Sequence, residues 1–288
     1  MKSIELGNST WQLRLLPEWG GRIAALRAGG LDLLLPITGD AFDPLDWPRA
    51  GAYPLVPYSN RLRDARLVFN GVEHRLPAHP AARPHTLHGV THTRPWEVVS
   101  ADAGQALIRC DYDGEHWPWA FRAEQAFVLD GDRLDITLRV TNLGDTPMPA
   151  GLGLHPYFQR HPGMRAEYRV GREWAIDEEY LVTGDYEDAV KTVHLVADNA
   201  APVAHYQSRW DGELHLSYPE GRLSLRASPL LNHFVAFAPP GSAYLCLEPV
   251  SHVADAFNGQ RVDWAESGTH ELAPGQSLEA TLSFTWQR

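Results

Sequence analysis

The chain has 288 residues, a formal net charge of −11, 44% apolar residues and 10 Trp, 10 Tyr and 9 Phe, which excludes a disordered segment and supplies ample material for a packed core. Its 25 Lys and Arg are scattered rather than gathered into a stripe, so neither nucleic acid nor an anionic membrane is expected as a partner. Met1 to Trp11 lacks the unbroken apolar run of a secretory leader, and no apolar stretch approaches the ~20 residues of a spanning helix, so a cytoplasmic protein is expected.

Twenty-four Gly and 22 Pro punctuate the whole chain and leave little room for helices of ordinary length. Strands fit better. Leu67 to Leu76 sets Asn70-Gly71 between two β-rich arms, the dipeptide favoured where both turn residues need positive φ. Phe127 to Val140 repeats the pattern around Asp130-Gly131, and Leu134, Ile136, Leu138 and Val140 alternate with Asp135, Thr137 and Arg139. A third hairpin runs from Leu214 to Leu225 through Pro219-Glu220-Gly221, and Leu278 to Trp286 alternates to the end. With no internal repeat, linker or compositional break, residues 1–288 read as one all-β domain, a large antiparallel β-sandwich. Ala41 to Pro57 and Pro77 to Pro95 are too long for simple hairpins and read as loops able to carry a site. Cys110 and Cys246 lie in no Cys-x-x-Cys or Cys/His pattern and read as buried free thiols.

Four segments place ionisable residues among aromatics and prolines: Tyr58 to Arg61, His85 to Gly89, Gly151 to Phe158 and Cys246 to His252. Glu248 ends the apolar run Ala243 to Leu247, where burial raises a carboxyl pKa toward the range of a general base; a strand-end ion pair is the alternative. His155 precedes Pro156, which holds the chain extended, and is either a proton donor and acceptor or a satisfied structural histidine. His85, His88 and His92 invite a metal reading, but Pro84, Gly89 and Pro95 argue for loop and no Cys or acid completes a set, so no metal is expected. Asn60-Arg61 offers a carboxamide and a rigid donor fork for an oxygen-rich ligand, or an ordinary ion pair.

In this order the segments resemble the aldose 1-epimerase (galactose mutarotase) family, in particular its bacterial branch with a His-Pro-Tyr-Phe motif. Pro17 to Ile23 is similar to the family's N-terminal Gly-Gly hairpin and Pro57 to Leu62 to its Asn-Arg loop. His88-Gly89 with Pro95-Trp96, then His155-Pro156-Tyr157-Phe158, then Glu248-Pro249 with Asp255 to Asn258, follow in family order. The resemblance implies a cofactor-free β-supersandwich acting on a free aldohexose. Glu248 would take the proton of the C1 hydroxyl, His155 would protonate the ring oxygen, and Asn60, Arg61 and His88 would hold sugar oxygens. Rotation about C1–C2 and reclosure give the other anomer. No protein partner is implied beyond a monomer or homodimer.

One position departs from the pattern. Ala204 stands where family members usually carry a sugar-gripping Asp, leaving His205, Tyr206 or Asp211 to replace it, or a sugar lacking the group it binds, or binding without turnover; Asn232 stands where others place Gln. Two further readings stay open. A hexose-6-phosphate 1-epimerase would need cations from among Arg61, Arg63, Arg66 and Arg94, and a non-catalytic carbohydrate-binding protein would only hydrogen-bond the sugar through Glu248 and His155.

Overall fold

The structure, a computed structural model, describes residues 3–114, 116–197, 200–258 and 264–288. Met1 and Lys2 of the N-terminal reading lie outside them. Among the described residues eighteen strands join in one hydrogen-bonded sheet, and the only α-helical segment is the four-residue Trp264–Ser267. Among these residues no helix is long and apolar enough to cross a membrane.

The hairpins form where the turn residues demand them. Phe69 pairs with Val72, so Asn70 (φ 50°) and Gly71 (φ 77°) make the two-residue turn. In the second hairpin Asp130 pairs with Arg133, so the turn is Gly131-Asp132, one residue later than the Asp-Gly dipeptide suggests. Likewise Tyr218 pairs with Gly221, which begins the strand Gly221–Ala227 and leaves Pro219-Glu220 as the turn.

The sheet folds over on itself through one long strand, Arg165–Ile176. Its first part, Arg165 to Tyr168, pairs with Leu214 to Ser217; after a register irregularity between Val170 and Arg172, residues Arg172 to Trp174 pair with Tyr206 to Ser208. Such an irregularity bends a strand and increases its twist, and here it carries the chain from one layer to the other. The first layer continues through Gly221–Ala227, Ser277–Gln287, Arg133–Asn142, Phe121–Asp130 and Gln105–Tyr112. The second runs through Val203–Ser208, His233–Ala238, Tyr244–Val250, Gly153–Gln159 and Ala52–Leu55, all antiparallel.

Period-two alternation assigns each face of the second layer. Leu154, Phe158, Phe234, Leu245 and Leu247 point inward and share one buried cluster with Phe127, Ile136, Leu138 and Phe284 of the first layer. Each such side chain contributes roughly 1.5–3 kcal/mol on burial. The residues between them, Tyr157, Val235 and Cys246, join Tyr53, Trp47 and Tyr206 in a second cluster on the outer face. That outer face is covered by the two long loops, which is why Gly153 to Phe158 is buried at every position instead of alternating. Ala52–Leu55, included in the loop Ala41 to Pro57 by sequence, is instead a short strand buried on both faces.

Candidate active site

The covered outer face encloses a cavity of about 170 Å³ lined by, among others, Asn60, Arg61, His88, His155 and Glu248. Its floor is a row across five strands. Tyr53 pairs with His155, and Glu248 with Val235, which pairs in turn with Tyr206. Gly153 opposite Val250 and Tyr157 opposite Cys246 set the register that brings His155 beside Glu248. His155 Nε2 lies 3.4 Å from Glu248 Oε1, with both side chains almost fully buried. The imidazole packs against two phenol rings, Tyr53 and Tyr157, each stacked on it with a centroid separation of 4.7 Å. Trp47 Nε1 donates to Tyr157 Oη over 3.3 Å and locks that ring.

The walls come from the loops. Asn60 (φ 60°) and His88 (φ 61°) both adopt the left-handed conformation, strain of order 1 kcal/mol each that clusters at functional sites. They grip one another: His88 N–H donates to the Asn60 carbonyl (2.8 Å), and Asn60 N–H donates to His88 Nδ1 (3.1 Å). With Nδ1 accepting, the neutral imidazole carries its proton on Nε2 and can donate only from that nitrogen. His252 anchors the same loop, donating from Nδ1 to the Val253 carbonyl and accepting Ser59 N–H at Nε2 (3.0 Å).

Burial dominates the electrostatics. It pushes Glu248 up from 4.5 to about 8, opposed by the Arg61 charge, and pushes His155 down from 6.5 to about 3. The same desolvation holds His88 well below the ordinary histidine range, with the neighbouring His155 and His92 adding to it. At neutral pH the pair therefore holds one proton, on the carboxyl. Over 3.4 Å that proton can pass to the imidazole, giving the carboxylate and imidazolium that a base and an acid require. His155, Cys246 and Glu248 have ligand atoms within 4.8 Å of one another, the one such set among the described residues. A zinc-type cation held there would need the thiolate, which burial opposes by pushing Cys246 well up.

A profile of the aldose 1-epimerase family matches residues 2–285. The chain belongs to the aldose 1-epimerase family. It is 30% identical over 250 residues to the uncharacterised protein YphB of Escherichia coli K12, covering 81% of this chain and 83% of that one. The fold matches a candidate aldose 1-epimerase from Escherichia coli K12 (TM-score 0.86, 24% identity, 99% of each chain). It also matches a galactose mutarotase-like protein from Clostridium acetobutylicum (TM-score 0.86, 19% identity, 99% of this chain and 94% of that one). At these identities the likeness to solved structures establishes the fold alone.

Within this epimerase fold the departures are resolved by geometry. Ala204 pairs with Phe237 and, by period two, shares the cavity face with Tyr206. His205 points to the opposite face, where Nδ1 sits 2.7 Å from Glu173 Oε1. Asp211 caps its own turn by accepting Glu213 N–H and is exposed, as is Asn232. Of the replacements weighed for the absent Asp, only Tyr206 reaches the cavity. The arginines of the phosphate reading are mostly engaged elsewhere: Arg63 with Asp177 (2.8 Å), Arg66 with Glu73 (2.7 Å) and Arg94 over the Tyr112 ring. Nor do the three loop histidines converge. His85 accepts Asp64 N–H, His88 belongs to the cavity, and His92 packs on Trp47 and Tyr53.

Tyr53, Trp47 and Arg49 line the cavity without a sequence motif to announce them. Tyr53 was legible in one respect: it alternates with Ala52 in an apolar run directly before the Asn-Arg segment.

Proposed function

We propose that the protein is an aldose 1-epimerase that opens and recloses the sugar ring by proton transfer between substrate, Glu248 and His155. The observation that carries this is the 3.4 Å contact between a buried imidazole and a buried carboxyl on the floor of a sugar-sized cavity. In the ion-pair form Glu248 accepts the C1 hydroxyl proton while His155 donates to the ring oxygen. The pair is left as carboxyl and neutral imidazole, the form burial favours, so ring opening relieves two buried charges. Reclosure from the other carbonyl face reverses both transfers. A hemiacetal contains its own nucleophile and leaving group, so one acid and one base suffice. Asn60, Arg61 beside Glu248 and the Nε2–H of His88 are among the donors available to sugar oxygens as charge develops.

Polarimetry of freshly dissolved α-anomers tests this, with wild type, Glu248→Gln and His155→Asn compared after subtraction of the spontaneous rate. Acceleration by wild type and its loss, by 100-fold or more, in both variants is expected. Saturable sugar binding with no acceleration for any aldose would instead favour the carbohydrate-binding reading.

A further inference from the structure

The cavity is cationic in a chain that is strongly acidic. The protein carries a net charge of −11, yet the charged side chains lining the cavity are Arg49 and Arg61 against the single carboxyl of Glu248, which burial keeps protonated near neutral pH. Among the described residues no aspartate lines it, and Ala204 occupies the position on this face where the family pattern places one.

The two arginines stand at different ends. Arg61 adjoins Asn60, Tyr180 and Glu248. Arg49 lies across the floor at the Trp47, Tyr157 and Tyr244 end: its guanidinium stacks on Trp47, 4.8 Å from the ring centroid, and Trp47 is itself buried and bonded to Tyr157. Among the described residues the one carboxylate within 4 Å of Arg49 is Asp46, at 3.8 Å, the two side chains being 42% and 86% exposed, too long and too solvated to neutralise it. Its charge is felt inside the cavity instead, opposing protonation of His155 and favouring the ionised forms of Tyr157, Tyr244 and Cys246. A planar guanidinium braced by an aromatic ring, with its donor fork unclaimed by any close carboxylate, is the arrangement that receives an oxyanion with two parallel hydrogen bonds.

We propose that the aldose accepted here bears an anionic substituent, a carboxylate, sulfate or phosphate, which Arg49 binds at the Trp47–Tyr244 end of the cavity while the anomeric carbon meets Glu248 and His155. This rests on the 1-epimerase reading and narrows its substrate class. It also gives Ala204 a reason, because a carboxylate on the cavity face would weaken the field that draws such a sugar in.

The test compares anomerisation of glucose and galactose with that of glucuronate, galacturonate, glucose 6-sulfate and glucose 6-phosphate, by wild type, Arg49→Gln and Arg49→Lys. At least one anionic sugar is expected to exceed its neutral parent tenfold or more in kcat/KM, with the three anion types ranked by the assay. Arg49→Gln should cut the anionic-to-neutral ratio at least tenfold, mainly through KM, and Arg49→Lys should restore part of it. Raising NaCl from 0.05 to 0.5 M should erode the preference. Equal or better turnover of the neutral sugars, or equal losses on both classes in Arg49→Gln, overturns the proposal while leaving the epimerase reading intact. If no sugar is turned over, the epimerase reading fails, and ligand-observed NMR decides the substrate class alone: glucuronate or glucose 6-sulfate binding that Arg49→Gln abolishes supports it, and binding no tighter than glucose overturns it.

Discussion

Replacing Glu248 by Gln should destroy the chemistry and strengthen the fold. In the unfolded chain the carboxyl ionises near 4.5, whereas burial pushes it to about 8 in the native state. The folded protein therefore holds a proton that the unfolded chain has released, and native stability falls as pH rises from 4.5 through 8. The slope is ~1.4 kcal/mol per pH unit, so by pH 7 ionisable Glu248 costs about 3 kcal/mol, a cost that a neutral, nearly isosteric Gln does not carry. Urea unfolding followed by Trp fluorescence, on wild type and Glu248→Gln at pH 7.0 and 4.5, measures it. The variant is expected to be more stable by 2–3 kcal/mol at pH 7.0 and within about 0.5 kcal/mol of wild type at pH 4.5. A variant no more stable at pH 7.0, or an advantage of the same size at both pH values, would refute the reasoning.

Three other expectations concern the site. The active protonation state is the pair holding one proton, so background-corrected kcat/KM should be level through the neutral range and fall above about pH 8 as Glu248 loses its proton; Arg61→Met, by removing the charge that opposes this shift, should move that limb upward in a pH–rate titration. Tyr157→Leu removes one of the two rings stacked against His155 and the partner of Trp47 Nε1; with an aromatic pair worth about 1 kcal/mol, kcat should fall roughly fivefold, with a smaller change in KM, in steady-state polarimetry. Gly89 has φ 72°, and a Cβ there would sit 2.2 Å from the Val56 carbonyl oxygen; Gly89→Ala should cost at least ~2 kcal/mol in urea unfolding and weaken sugar binding by displacing the adjacent His88.

Much of the fold is written locally. Asn70-Gly71 commits its hairpin because both residues must take positive φ, and the alternation from Leu134 to Val140 commits one face of its strand to the core. Glu248 and His155 were visible because an ionisable group beside an apolar run is costly unless used. Local pattern fails where the register is set by distant partners. Ala52–Leu55 is a strand because Gly153–Gln159, about a hundred residues on, pairs with it. The placing of Tyr53 and Trp47 around His155 follows from that pairing and from a loop folding over it, neither of which leaves a local periodic signal. The choice among His205, Tyr206 and Asp211 was open for the same reason: Tyr206 pairs with Val235 on the cavity face, so period two sends His205 to Glu173 on the other. Arg49 escaped notice because an arginine among Trp47, Pro48 and Ala50 looks like any exposed loop cation; it stays 42% exposed, and only the folding of its loop onto the sheet brings it to the cavity.

Ring opening leaves the C1–O1 bond intact, whereas a mechanism that expels the C1 hydroxyl exchanges that oxygen with water at each turnover. An aldose that wild type anomerises, labelled with 13C and 18O at C1 and its hydroxyl, distinguishes them by the isotope shift of the C1 resonance. Many wild-type-catalysed anomer interconversions with the 18O retained, and none above background in His155→Asn, are expected. Washout of label in step with anomerisation, or interconversion undiminished in His155→Asn, would contradict proton transfer through the His155–Glu248 pair.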